Sequence, residues 1–226
     1  MHKFTDIDLK KSKRKTWWMS LAVMILTLFL SINAIGLIIG SIIYEEASLL
    51  PAYSHPLATQ RLQQSLKYKG REMYKENIVI ESLDGYPLSG TFIPNPAPTN
   101  KTIVFVHGFM ENRTAGLNYL SLYMQSGFNL LLIDSRDHGE SGGDSVTWGN
   151  LEKYDLDQWI SWVQQRVPNG TIGVHGISMG AATALLHAEL NESNKRVAFY
   201  ISDSAYSDFE TLMKLQINHY LNSTHM

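Results

Sequence analysis

The sequence contains no cysteine. Disulfides, thiolate metal sites and a cysteine nucleophile are therefore excluded. It has no H-E-x-x-H pattern or other cluster at metal-ligand spacing, so no metal or cofactor is expected. Internal repeats and low-complexity tracts are absent as well. Charged residues are only 18% of the chain and hydrophobic residues 44%, a balance that builds a core rather than a disordered coil.

Charge is also missing locally: from Trp17 to Ile43 no residue is charged. As a helix this run spans about 40 Å at ~1.5 Å per residue, enough to cross a hydrocarbon layer of roughly 30 Å with some tilt. Trp17 and Trp18 stand where an interfacial aromatic belt would. The run is apolar all round, which argues against a buried core helix. A cleaved signal peptide is the rival reading, but its apolar stretch is usually shorter and no clean A-x-A site ends the run. The net charge of −2 hides an asymmetry. Lys3, Lys10, Lys11, Lys13, Arg14 and Lys15 outnumber Asp6 and Asp8 in residues 1–16, while the remainder is acidic. Basic residues next to an apolar span set topology. The expectation is a cytoplasmic tail over 1–16, a retained single-pass cell-membrane anchor over 17–43, and everything after Tyr44 outside. The acidic body has no basic face of the kind that binds nucleic acid.

Residues 44–76 read as a membrane-proximal linker with Pro51 and Pro56, then a helix over Leu57–Lys69 that stops at Gly70. The globular part spans 77–226. Asn77–Ser82 and Leu88–Ile93 read as strands around an Asp84-Gly85 turn. Thr102–Val106, Asn129–Asp134, Thr171–His175 and Val197–Ser202 read as further strands. Helices are expected over Thr114–Ser126 (with Gly127 as its stop), Leu151–Val167, Ala181–Ala188 and Asp208–Leu221. Alternation of this kind gives an α/β fold, a mostly parallel sheet with helices on both faces.

In such sheets function collects beyond the C-terminal ends of the strands. Gly176-Ile177-Ser178-Met179-Gly180 reads G-x-S-x-G between a strand and a small-residue helix. Backbone turning that sharply crowds a Cβ, so glycines flank the turn and the serine is left at its tip. The next N–H opens a helix, where negative charge is stabilised. Taken alone, the pattern is equally a glycine-rich turn with an ordinary serine. Two other strand ends decide: His107-Gly108-Phe109, and Asp134-Ser135-Arg136-Asp137-His138-Gly139-Glu140-Ser141.

With these three motifs in order, the chain resembles the α/β-hydrolase superfamily from about Asn77 onward. Its layout is similar to membrane-anchored bacterial cell-surface serine esterases. The resemblance implies that Ser178 is the nucleophile and that the backbone N–H groups of Phe109 and Met179 form the oxyanion hole. It implies scaffold roles for Asp134, Arg136 and His138, and a loop-shaping role for His107. A serine hydroxyl also needs a base. The family order is serine, acid, histidine, with the last two after a seventh and an eighth strand. Here the residues after Ser178 supply one helix, one strand and one more helix. His187 falls too far along the elbow helix, and His219 and His225 have no strand behind them. Asp203 ends a strand but has no histidine to orient, and His175 is expected to pack. The triad acid and histidine are thus unassigned and expected beyond Met226; of two readings, a fragment of an enzyme of roughly 300 residues and a naturally shortened relative, the expectation is the C-terminally incomplete fragment.

The implied activity is hydrolysis of small esters or related acyl compounds through an acyl-enzyme on Ser178, outside the membrane. An amidase or peptidase on the same fold, or a non-catalytic surface binding protein, are the alternatives. Five N-x-S/T sequons begin at Asn100, Asn112, Asn169, Asn191 and Asn222.

Overall fold

The computed structural model describes residues 6–49, 67–68 and 71–223. The chain divides into two compact units, residues 1–47 and 48–226. Among the described residues the first is occupied by one helix, α1 (Asp6–Leu49), whose last two residues fall past residue 47. Over Lys15–Ile42 it is long and apolar enough to cross a membrane. Side chains all around it, among them Trp17, Leu26, Phe29 and Ile38, are exposed. An apolar helix that packs on nothing in its own unit needs a nonpolar solvent.

In the second unit, β1 (Lys67–Tyr68) and β2 (Arg71–Glu72) form a small antiparallel pair. This corrects the end of the helix expected over Leu57–Lys69. Lys67 and Tyr68 place their backbone groups in a ladder with Arg71 and Glu72, and pairing overrides a weak helical pattern. The rest of that expected helix lies outside the described residues.

The main sheet is built from β3 (Glu76–Glu81), β4 (Pro87–Ile93), β5 (Lys101–Val106), β6 (Asn129–Ile133), β7 (Thr171–Ile177) and β8 (Phe199–Asp203). Their spatial order is β3-β4-β6-β5-β7-β8. The β3–β4 and β4–β6 pairs are antiparallel, and β6–β5, β5–β7 and β7–β8 are parallel. The sheet is thus mixed but mostly parallel. The β3–β4 hairpin closes through Asp84-Gly85, where Gly85 adopts φ 84°.

The continuous apolar runs of β5 and β6 make sense as strands buried on both faces. On one face Val104, Val106, Leu131 and Ile133 pack against Trp159, Ile160 and Val163 of α3 (Glu152–Arg166) and Ala184 of α4 (Met179–Asn194). On the other, Ile103, Phe105, Leu130 and Leu132 pack against Leu120, Tyr123 and Met124. Pro168 follows the end of α3, as the sequence suggests. A last helix, α5, spans Phe209–Ser223.

The single helix expected over Thr114–Ser126 is two pieces. Arg113–Tyr119 is a 3-10 helix, and only α2 (Leu120–Gln125) is α-helical. The cause is close packing. A Cβ on Gly116 would lie 2.5 Å from Leu132 Cδ2 and 2.6 Å from Phe105 Cδ1, so the first turn sits directly on the sheet. Asn112 fixes its start by accepting from the Thr114 N–H and hydroxyl, at 3.0 and 2.7 Å. Gly127 then takes φ 75° and stops α2. Two sequons are structurally committed. Asn112 is this cap through its Oδ1, and buried Asn191 bridges both backbone groups of Val197, which engages the amide nitrogen a glycan would need.

Candidate active site

The C-terminal ends of β5, β6 and β7 bring the three sequence motifs together. At the end of β7 the chain turns directly into α4, and Ser178 occupies the turn with φ 52° and ψ −114°. Positive φ in a non-glycine residue is strained and persists only where its surroundings enforce it. Here they do. A Cβ on Gly176 would lie 2.0 Å from the Gly180 carbonyl oxygen, and one on Gly180 would lie 2.2 Å from the Val106 carbonyl oxygen. The Ser178 N–H donates to the Asp203 carbonyl at 2.8 Å, tying the turn to the end of β8. The Ser178 carbonyl accepts from Ala182 at 3.1 Å, the first turn of α4. Ser178 is exposed while Met179 is buried. The Met179 N–H opens a helix, where backbone donors have no intrahelical acceptor.

The loop after β5 folds over this turn. The Glu111 N–H donates to the Gly108 carbonyl at 3.3 Å, and Met110 takes φ 60°. A Cβ on Gly108 would lie 3.4 Å from Ser178 Cβ, so this part of the loop comes within van der Waals reach of the serine. Phe109 stacks on Trp148 with centroids 4.5 Å apart, and Trp148 stacks on Phe209 at the same separation. Trp148, Leu185, Leu186, Tyr206 and Phe209 line a groove of about 450 Å³ beside α4.

Buried charge clamps the loops together. Asp134 accepts from the Arg113 N–H at 2.7 Å and from the Glu140 N–H at 2.9 Å, and pairs with the Arg113 guanidinium. That guanidinium also pairs with Glu140. A Cβ on Gly139, at φ 54°, would lie 2.3 Å from the Asp134 carboxylate. Arg136 binds Asp155 of α3 through two bonds of 2.8 and 3.2 Å. The His107 Nδ1–H donates to the Gly108 carbonyl at 2.7 Å, which leaves Nε2 to accept the Ser135 N–H at 3.0 Å. The His138 Nδ1–H donates to the Arg136 carbonyl at 2.8 Å. Burial pushes both imidazoles down to about 4. Both rings are neutral supports at ordinary pH.

The other candidates stand elsewhere. His175 is buried, bonded to the Tyr123 hydroxyl at 2.7 Å and packed edge-on against Phe105 and Tyr119. His187 is fully buried, between the Tyr200 hydroxyl at 2.8 Å and Asp157 at 3.1 Å. Asp203 is exposed, and its carboxylate accepts from the Ser204 hydroxyl at 2.8 Å. His225 lies outside the described residues. Among the described residues, no side chain hydrogen-bonds Ser178 Oγ.

Sequence reasoning missed Arg113, Trp148 and Glu111. Arg113 and Trp148 meet partners distant in the chain and leave no local signal. Glu111 had one: the carboxylate three residues after Gly108 reaches back to the Gly108 N–H at 3.1 Å.

Two outcomes follow. Gly180→Ala puts a methyl against the Val106 carbonyl and lowers stability by about 2–4 kcal/mol, read by urea denaturation. Second, His107 and His138 titrate near 4 when folded and near 6.5 when unfolded, so the unfolded chain binds more protons between those values. Stability therefore falls as pH drops from about 6.5 toward 4, by up to ~3 kcal/mol per histidine. Burial raises Asp134 and Asp155, which acts in the opposite sense. The histidine contribution is thus read as a difference: between about pH 6.5 and 4 the unfolding midpoints of His138→Gln fall less than those of the wild type, in which the carboxylates are the same.

The sequence profile of the Hydrolase_4 family, described as serine aminopeptidase, S33, matches residues 97–214. The uncharacterized protein YqkD of Bacillus subtilis is 39% identical over 140 residues, covering 62% of this chain and 45% of YqkD. YfhR of Escherichia coli O157:H7, also uncharacterized, is 28% identical over 149 residues, covering 63% and 51%. The chain thus spans about half the length of the curated relatives it matches. Among solved structures, the Pyrococcus furiosus esterase Pf2001 superposes with a TM-score of 0.53 at 32% identity, covering 59% of this chain and 52% of that one. A thermostable carboxyl esterase from Bacillus coagulans shares the fold at a TM-score of 0.50 and 18% identity, covering 57% and 43%. With the three strand-end motifs assembled and more than half of its length matched, this chain belongs to the Hydrolase_4 (serine aminopeptidase, S33) family of α/β-hydrolases.

Proposed function

We propose that this chain carries the nucleophile and oxyanion hole of a membrane-anchored serine hydrolase that cleaves small esters or related acyl compounds outside the cell membrane. One observation carries the reading: Ser178 is exposed at φ 52°, between a buried strand and a helix N-terminus. Its hydroxyl attacks the substrate carbonyl, the alcohol leaves, and water releases the acyl group. The Met179 and Phe109 N–H groups stabilise the oxyanion, a contribution of roughly 3–4 kcal/mol per donor. The triad acid and histidine come from outside the described residues. The family's aminopeptidase description favours a second reading, cleavage of an amide by the same steps.

The anchor reading rests on the apolar Lys15–Ile42 stretch, and the orientation on the basic residues before it.

Hydrolysis of p-nitrophenyl esters tests the proposal. In the natural protein in its membrane, Ser178→Ala removes turnover, a loss on the order of 10⁵–10⁶-fold in kcat. Unchanged turnover in that variant refutes the nucleophile assignment. The 226-residue chain by itself gives at most residual turnover, because no described base reaches Ser178. Ser178-dependent turnover by that chain would place the base within it.

A further inference from the structure

Trp148 stands in the loop between β6 and α3, outside the three motifs. Its backbone takes φ 57°, a left-handed conformation that a side-chain-bearing residue keeps only when its surroundings enforce it. Three elements do so. The carboxylate of Glu152, buried at the start of α3, accepts the N–H groups of Thr147 and Gly149, each at 2.7 Å, and the Thr147 hydroxyl at 2.6 Å. Gly149, at φ 99°, lies against α4: a Cβ there would sit 2.9 Å from Leu186 Cδ1 and 3.2 Å from the Thr183 nitrogen. The Tyr206 hydroxyl, in the segment after β8, donates to the Trp148 carbonyl.

The side chain held in this way meets Phe109. The two rings lie 4.5 Å apart at 41°, and His138 closes on Phe109 edge-on at 6.0 Å. Phe209 in turn packs on Trp148. The peptide between Gly108 and Phe109 is bonded at its carbonyl end, by the Glu111 N–H and by His107. Its other end, the Phe109 N–H, has no acceptor among the described residues. Exposed Met110, next in the chain, takes φ 60° and gives no packing to steady it. The Phe109 ring joins its Cα through one Cβ, so fixing the ring narrows the directions open to the N–H.

We propose that Trp148 is a positioning residue for the oxyanion hole: packed on Phe109, it aims the Phe109 N–H at the space beside Ser178, and buried Glu152 holds Trp148 in place. The inference rests on the hydrolase reading and on Phe109 as a donor. A donor helps only when it already points at the oxygen that becomes charged, so loosening it lowers the rate of the chemical steps. Trp148 acts through Phe109 and not on the substrate. A tryptophan that instead lined the substrate's pocket would change KM, and more so for longer acyl groups.

Turnover of p-nitrophenyl acetate and butyrate by the natural protein separates these roles. Trp148→Ala lowers kcat about tenfold for both esters and leaves KM within about twofold, a smaller loss than the roughly 10²–10³-fold of removing a donor outright. Trp148→Phe recovers most of the kcat. Trp148→Leu, which keeps bulk in the loop, loses less than Trp148→Ala and carries the test if Trp148→Ala does not fold. Unchanged kcat in the folded variants, a KM effect that grows with acyl length, or no recovery in Trp148→Phe overturns the proposal. A second readout needs no turnover. With isotope-labelled phenylalanine, the Phe109 amide resonance is assigned by its loss in Phe109→Leu. It is single and sharp in the wild type and in Trp148→Phe, and broadened or split in Trp148→Ala and Trp148→Leu. A Phe109 resonance that stays single and sharp in all of them also overturns the proposal. If the amide responds as stated while the wild type shows no Ser178-dependent turnover, the hydrolase reading fails and the control of Phe109 by Trp148 stands.

Discussion

The structure around the candidate site depends on one backbone constraint: Ser178 is held in a left-handed conformation that a side-chain-bearing residue avoids. Three close approaches enforce it. Gly176 abuts the Gly180 carbonyl, Gly180 abuts the Val106 carbonyl, and the Ser178 N–H is taken by the Asp203 carbonyl. Each approach joins a different strand end to the turn: β7 to its own helix, β5 to that helix, and β8 to the serine. Strain of about 1–3 kcal/mol at one residue is tolerable when several elements over-determine it. The consequence is a hydroxyl exposed at the tip of a rigid element, next to a helix N-terminus.

The loops that surround the serine are held by charge rather than by apolar packing. Asp134 is almost fully buried, and Arg113 and two backbone N–H groups surround its carboxylate and offset part of the cost of burying it. Removing one partner of such a pair typically costs about 3–5 kcal/mol, since the other is left buried and unpaired. Through Arg113 the clamp fixes the exit of the loop that carries Gly108 and Phe109. Through His107, neutral and bonded at both nitrogens, it fixes the entrance. The loop after β5 is therefore positioned at both ends, with Gly108 set against the serine. The same clamp explains why histidines so near the candidate nucleophile are supports. Both ring nitrogens of His107 are spent on backbone groups, and His138 is buried beneath the loop.

What could be read from the sequence was whatever is encoded locally. The elbow, the hairpin at Asp84-Gly85 and the buried strands β5 and β6 are each specified by a few adjacent residues whose backbone or side-chain demands are severe. Interactions across the chain could not be read. The Arg113–Asp134 pair joins two loops, the Trp148 stack joins a third loop to α5, and neither has a sequence period. The helix expected over Thr114–Ser126 shows the limit from the other side. Its apolar spacing is helical, but the sheet beneath Gly116 tightens the first half into a 3-10 turn. The strand at Lys67–Tyr68 likewise exists because of its partner, not its own propensity.

The account's central claim is that this strained, exposed serine is a nucleophile with an oxyanion hole already built around it. The most direct measurement is reaction of a fluorophosphonate probe with the natural protein, followed by peptide mapping. The account predicts a single phosphonylated residue, Ser178. No label on Ser178, or label spread over other serines at a similar rate, would contradict it.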